Sequence, residues 1–260
     1  MTDSAFVFEN LGFGYRPGQW VLRGYGGRVK RGEVFSILGP NGRGKTTLLK
    51  LLLGALDPRE GTIRRKGETA FVPQLFKCSF SYTVLDMVLM GRAGRIRWFS
   101  TPGLKDEESA LAALERMGIA HLAARPFDEL SGGQRQLVIF ARALATKADT
   151  LVLDEPVAAL DMKNQGAILR WISQLSREDG LTVVFTTHNP QHAHMVSDTS
   201  MLMLGESDFI CGPADDVMSE EALHALYGVR MKRFRVECEG LDMETFSPVY
   251  SWLGRFRNGG

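Results

Sequence analysis

The sequence predicts an α/β fold: a mixed, largely parallel sheet with crossover helices, joined to a small antiparallel sheet and a helical segment. Three observations predict it. Short apolar runs at Val34–Leu38, Leu151–Leu153 and Thr182–Phe185 read as buried strands. From Thr150 onward such strands alternate with a helical pattern over Lys163–Arg177, as parallel crossover units do. From about Leu75 to Ala148 the apolar spacing is helical almost throughout.

Taken in order, residues 5–37 alternate apolar and polar positions around the turn residues Gly12, Gly14, Pro17 and Gly18, which predicts antiparallel strands. Val34–Leu38 ends in glycine and feeds a loop. Thr46 to Leu56 carries leucines at helical spacing, with Asp57-Pro58 as the expected stop. Leu85, Val88 and Leu89 mark one amphipathic face; Leu111, Leu114 and Met117 mark another. After Gly205 the pattern weakens to a short strand, a helix near Glu220–Leu226 and a tail without a legible role.

The composition narrows the classes. The chain has 260 residues, 44% hydrophobic and 23% charged, with a formal net charge of +1. Those are the proportions of an ordinary globular protein, and they give no reason to expect nucleic acid as a partner. Cys78, Cys211 and Cys238 match neither a zinc spacing nor a disulfide framework, which points to a reducing compartment. The start lacks a basic segment followed by an apolar run, so no signal peptide is expected. No apolar stretch approaches the roughly 18 residues of a spanning helix.

Gly39-Pro40-Asn41-Gly42-Arg43-Gly44-Lys45-Thr46 follows a strand and opens a helix, the context of a phosphate-binding P-loop. Such a loop turns its amides inward around phosphate oxygens, so Gly39, Gly42 and Gly44 answer a need for space, and Asn41 belongs to the same wrap. The helix N-terminus adds its dipole. Lys45 would supply charge to the β- and γ-phosphates, Thr46 would ligate Mg²⁺, and Thr47 would assist the α-phosphate. Leu151–Leu153 delivers Asp154 and Glu155 at a strand's C-terminal end. Asp154 would hold Mg²⁺ through its water shell; Glu155 would polarise an attacking water. His188 ends another strand, where it could orient that water. His192 and His194 follow it, but His-x3-His-x-His across Pro190 has no fixed tetrahedral geometry, and both read as surface side chains. Leu130-Ser131-Gly132-Gly133-Gln134 opens the helix Gln134–Leu144 and reads two ways. It is a second phosphate cradle built from Ser131, glycine amides and a helix dipole, or a plain serine N-cap.

These motifs, in this order, resemble the ATP-binding-cassette (ABC) ATPase family over roughly the first 210 residues. The resemblance implies one domain over 1–260. A RecA-like mixed-sheet core with its antiparallel β subdomain would span about 1–74 and 149–210. A helical subdomain would cover about 75–148 and a C-terminal extension about 211–260. It implies ATP and Mg²⁺, and two ATP molecules sandwiched in a head-to-tail homodimer with a twofold axis. Ser131, Gly132, Gly133 and Gln134 of one copy would close on the γ-phosphate held by the other. Gln74 would be the Q-loop residue, linking Mg²⁺ or water to the helical region. Asp161, in Ala158-Ala159-Leu160-Asp161, would lie in the D-loop at the dimer seam. Tyr15 is the candidate for stacking on adenine, or is an ordinary strand aromatic.

The sequence departs from the family in three places. Arg43 stands where a small residue is usual, either as a solvated loop cation or as an extra contact to phosphate or partner. Val157 and Ala158 replace a threonine and a serine that could bond across the dimer.

Thr83–Arg92 resembles importers of metal chelates. The wider run Phe71 to Arg92, with Val183–Pro190, is most similar to the molybdate/tungstate member. The implied partners are a second copy, integral membrane permease subunits and, indirectly, a substrate-binding protein, with the chain peripheral on the cytoplasmic face of the inner membrane. An exporter ATPase and a soluble, non-transport ABC ATPase are the competing classes.

Overall fold

A computed structural model describes residues 3–74, 76, 80–96, 100–158, 160–238 and 240–250. Cys78, Ala159 and the start of the expected helical segment at Leu75 lie outside these, as do residues 251–260 of the tail. In chain order the strands are β1 (Ser4–Phe13), β2 (Leu22–Lys30), β3 (Val34–Leu38), β4 (Glu60–Arg65), β5 (Thr69–Val72), β6 (Thr150–Leu153), β7 (Thr182–Thr187), β8 (Thr199–Met203), β9 (Phe209–Pro213), β10 (Arg230–Cys238) and β11 (Leu241–Val249). The helices are α1 (Lys45–Leu53), α2 (Val84–Leu89), α3 (Leu104–Arg116), α4 (Gly132–Ala145), α5 (Met162–Arg177), α6 (Pro190–Val196), α7 (Ala214–Val217) and α8 (Glu220–Tyr227).

The central sheet runs β5-β6-β7-β3-β8-β9, parallel except for β9, which pairs antiparallel with β8 at one edge. Each central strand is apolar on both faces, as a sheet covered on both sides requires. Side-chain alternation sorts it into two cores. Val34, Leu38, Leu151, Leu153, Val183 and Phe185 face the helices α4, α5 and α6. Phe35, Ile37, Val152 and Val184 face α1 and the three-stranded antiparallel sheet β2-β1-β4.

The structure corrects two expectations and adds a strand. The first helix stops at Leu53, before Asp57-Pro58. Gly54 takes a left-handed φ of 74° and returns its amide to Leu51 and Lys50, while Arg65 of β4 bonds the carbonyls of Leu51 and Leu52. The sequence pattern does not mark β4, because as an edge strand its exposed positions carry Gly61, Thr62, Arg64 and Arg65. On α3 the buried side is Ala110, Ala113 and Leu114, with Leu111 left exposed.

The C-terminal segment is a helix and a long hairpin. Leu223 and Leu226 anchor α8 in the larger core, Gly228 turns the chain with φ 69°, and β10 pairs with β11 in antiparallel register. Met231 and Phe246 face inward. Among the described residues no helix is long and apolar enough to cross a membrane.

Candidate functional site

Three neighbouring strands, β6, β7 and β3, end at one rim of the sheet, and each delivers part of the site. This is where open parallel sheets expose loop backbone and helix N-termini together. After β3, Gly42 and Gly44 adopt φ of +79° and +99°, and a Cβ on Gly44 would lie 2.8 Å from Val21 Cγ1. Only glycine makes that turn without strain or collision. Lys45 is buried; its Nζ donates to the carbonyls of Gly39 at 2.8 Å and Pro40 at 3.2 Å.

Asp154 and Glu155 follow β6. Asp154 Oδ2 accepts the Thr46 hydroxyl at 2.8 Å, and Oδ1 accepts the Thr186 hydroxyl at 2.7 Å. Thr186 in turn accepts the Glu155 amide at 2.8 Å. That bond holds Glu155 at φ +45°, a left-handed conformation that costs a non-glycine residue roughly 1–3 kcal/mol. The Glu155 carboxylate pairs with Lys45 Nζ at 2.9 Å and meets His188 Nδ1 at 2.7 Å. Burial pushes the Glu155 carboxyl up; the Lys45 and His188 hydrogen bonds and charges outweigh it, leaving it below the usual carboxylate range. An ionised carboxylate only accepts, so His188 Nδ1 carries the proton.

Above this network lies a cleft of about 420 Å³ lined by Tyr15, Val21, Asn41, Gly42, Gly44, Lys45, Thr46, Thr47, Gln74 and Glu155. Tyr15 stands at its mouth, exposed, with its hydroxyl 3.2 Å from Thr47 Oγ1 and its ring edge-on to Phe13. Arg43 is half-buried rather than freely solvated. Its stem lies against Gly39, and its charge offsets part of the effect of burial on Tyr25, whose phenol is pushed up to about 12. The donors fit a magnesium ion, which takes hard oxygen ligands and keeps several waters: a hydroxyl and a carboxylate converge at Thr46 and Asp154.

Ser131, Gly132, Gly133 and Gln134 stand apart from that network, at the N-terminus of α4. Ser131 accepts the Gln134 amide at 3.3 Å, and Gln134 Oε1 accepts the Ser131 amide at 3.1 Å, a reciprocal capping box. The serine is therefore an N-cap within its own chain, and it is exposed. Gly133 packs on Asn164, where a Cβ would fall 2.8 Å from Asn164 Nδ2. That amide donates to Asp161, which caps α5. One residue thus ties the Ser131 loop to the Asp161 loop. Val157 is buried in the core and Ala158 is exposed, so of the two departures only position 158 faces outward. A cavity of about 180 Å³ lined by Gln74, Gly132, Arg135, Glu155 and Pro156 joins the two regions.

His192 and His194 are not surface side chains. His194 is 13% exposed, stands edge-on to Phe246, and lies 3.3 Å from Asp215. The C-terminal hairpin covers both α6 and this ring.

A family model for ABC transporters matches residues 22–158. The chain is 38% identical to the molybdate import ATP-binding protein MolC of Haemophilus influenzae, over 96% of this chain and 99% of that one. The chain belongs to the ABC transporter ATP-binding family. ABC cassettes bind ATP or ADP and form dimers: a solved dimeric cassette bound to ADP and phosphate is 28% identical with a TM-score of 0.67, covering 75% of this chain and 93% of that one. An ABC transporter described as metal-chelate type, solved facing inward, superposes with a TM-score of 0.93 at 37% identity, over 96% of this chain and 100% of that one.

Sequence reading missed two side chains of this ABC site. Thr186 was visible as a hydroxyl in an apolar strand two residues before His188. Tyr227 carried no local signal: its hydroxyl donates to the His188 carbonyl at 2.9 Å from 39 residues away.

Proposed function

We propose that this chain is the ATP-hydrolysing subunit of a membrane importer, closing as a head-to-tail homodimer on two ATP molecules. One observation carries the reading: Lys45, Thr46, Asp154, Glu155, Thr186 and His188 form a single hydrogen-bonded network at the lip of one cleft. Lys45 and the open amides of the Gly39–Thr46 loop would hold the phosphates, Thr47 would assist the α-phosphate, and the exposed Tyr15 ring would stack on adenine. Thr46 and Asp154, with Gln74 near them, would hold Mg²⁺, which when bound would neutralise charge on the β- and γ-phosphates. Glu155 would take the proton side of the attacking water, and His188, braced on Glu155, would orient it. The Lys45–Glu155 pair must part for this, because Lys45 is needed at the phosphates. ATP entry therefore frees the base it activates.

Ser131 to Gln134 of the second copy would complete the γ-phosphate site, with Asp161 at the seam. The catalytic core, the helical segment 75–148 and the C-terminal extension 211–260 would act as parts of one domain. Closure would move permease helices seated on the segment around Thr83–Arg92, placing the chain on the cytoplasmic face of the inner membrane, with a substrate-binding protein as an indirect partner. A metal chelate or an oxyanion such as molybdate is the favoured cargo, supported by the MolC relative and the metal-chelate type structure.

The test is ATP hydrolysis across a wide range of protein concentration, with Glu155→Gln beside it. Activity should rise with the square of concentration at the low end. It should fall on the order of 100-fold or more in the variant, as loss of a general base does. Strict proportionality in a chain that stays monomeric with ATP would refute the sandwich, and full turnover in the variant would remove Glu155 from its role.

A further inference from the structure

The backbone just after β7 is held from behind by the C-terminal segment. Tyr227 donates its hydroxyl to the His188 carbonyl at 2.9 Å. Three residues on, Gln191 makes a two-point clamp on β11, donating to the Glu244 carbonyl at 3.1 Å and accepting the Phe246 amide at 3.2 Å. His194 stands against Phe246, with ring centroids 5.2 Å apart. His188 itself has a half-exposed side chain that reaches forward to Glu155 at 2.7 Å.

We propose that Tyr227 is a positioning residue for His188, so that the C-terminal segment sets the aim of the imidazole at the catalytic centre. This rests on the role given to His188 above. β7 ends at Thr187 and α6 begins at Pro190, which has no amide hydrogen, so His188 sits in a break between regular elements. A hydrogen bond from a rigid phenol fixes the carbonyl there, and with it the direction of Cβ. The phenol is itself well placed. Leu223 and Leu226 lock α8 in the core, and Gly228, left-handed at φ 69°, returns its amide to the His224 carbonyl and so closes the last turn that carries Tyr227. Burial, and then the negative charge of Glu155, push the phenol's pKa up, so it stays an O–H donor at neutral pH. Catalysis is sensitive to such positioning, because a misplacement of about 1 Å can cost on the order of 100-fold.

The experiment uses the full chain with labelled histidines and Tyr227→Phe, which keeps the ring and its ring current but removes the donor. The protein has five histidines, and the resonance absent from His188→Ala identifies His188. The His188 resonance should move in Tyr227→Phe while that of His121, far off in the helical region, stays. The turnover number should fall several-fold, with KM for ATP and the melting temperature little changed. An unmoved His188 resonance would overturn the inference. So would unchanged turnover, or a loss accompanied by equal weakening of ATP binding. Full hydrolysis by His188→Ala would instead fault the role of His188, and the resonance would still report whether Tyr227 positions it.

Discussion

Two glycine-rich loops in this chain open helices, and they differ in the donors and charge they hold ready. Gly44 begins α1 with no side-chain cap and no acidic residue in the first turn, so the helix presents bare N–H groups above Lys45. Ser131 begins α4 inside a closed capping box in which Ser131 and Gln134 satisfy each other. A helix N-terminus attracts anions through such unpaired donors. The first loop adds a buried lysine to its amides. The second, Leu130–Gln134, has no cation of its own, and its box ties up only the Ser131 and Gln134 amides; the Ser131 oxygen accepts there, so its O–H proton is left to donate. The difference teaches why a single copy would hold one complete phosphate site and one supplementary one: in the proposed dimer, a γ-phosphate held by Lys45 of one copy would meet the Ser131 hydroxyl of the other with the cap intact.

The sharpest way to break this comparison is to damage each loop separately. Lys45→Ala should weaken ATP binding to the isolated chain by ten-fold or more, since it removes the one cation buried in the loop. Ser131→Arg should leave that binding intact and abolish hydrolysis, because the bulk and charge lie where a second copy would close. Binding by fluorescent nucleotide and turnover by phosphate release read the two separately. Unchanged affinity in Lys45→Ala, or full hydrolysis in Ser131→Arg, would erase the asymmetry.

How much of this was legible follows the same divide. The Gly39–Thr46 loop could be read because its geometry is local: strand, glycines at fixed spacing, lysine, helix. Asp154, Glu155 and His188 were legible because each ends an apolar strand that periodicity marks plainly. Thr186 was missed because a threonine suits any strand, and only the pairing of β6 with β7 reveals that its hydroxyl faces two acidic residues. The surface reading of His194 failed because its cover comes from β11, some 50 residues later, in a tail whose pattern gives no hint of a hairpin. Tyr227 was beyond reach for the same reason. Val157 shows the converse: the sequence marks it as a lost interface hydroxyl, whereas the fold buries it in the subunit's own core.

Thr186 allows a finer cut on the catalytic side. Its hydroxyl spans Asp154 Oδ1 and the Glu155 amide and is fully buried. Thr186→Val keeps the shape and leaves both partners short of a bond. The expected cost is about 1–3 kcal/mol in stability, with turnover falling further than ATP affinity. Thr186→Ser should restore most of both. A valine variant with normal turnover would show that β6 and its backbone alone place the two acids.

The smallest expected effect concerns pH, and it separates the loops by chemistry. The Ser131–Gln134 box contains no titratable group, so the loss of about 1 kcal/mol expected for Ser131→Ala should be the same at pH 7 and pH 4. Glu155 differs. Its folded pKa lies below the ordinary 4.5, so its ion pair with Lys45 and its hydrogen bond with His188 stabilise the fold above that pH. The contribution fades as pH falls from about 4.5 through the lower folded value, where the folded state also takes up the proton. Denaturant midpoints of the wild type and Glu155→Gln should therefore differ most near neutrality and converge in acid. A constant gap across that range would mean that the carboxylate's burial cancels its partners at every pH. The Lys45–Glu155 contact would then be a resting place for the lysine and add nothing to stability.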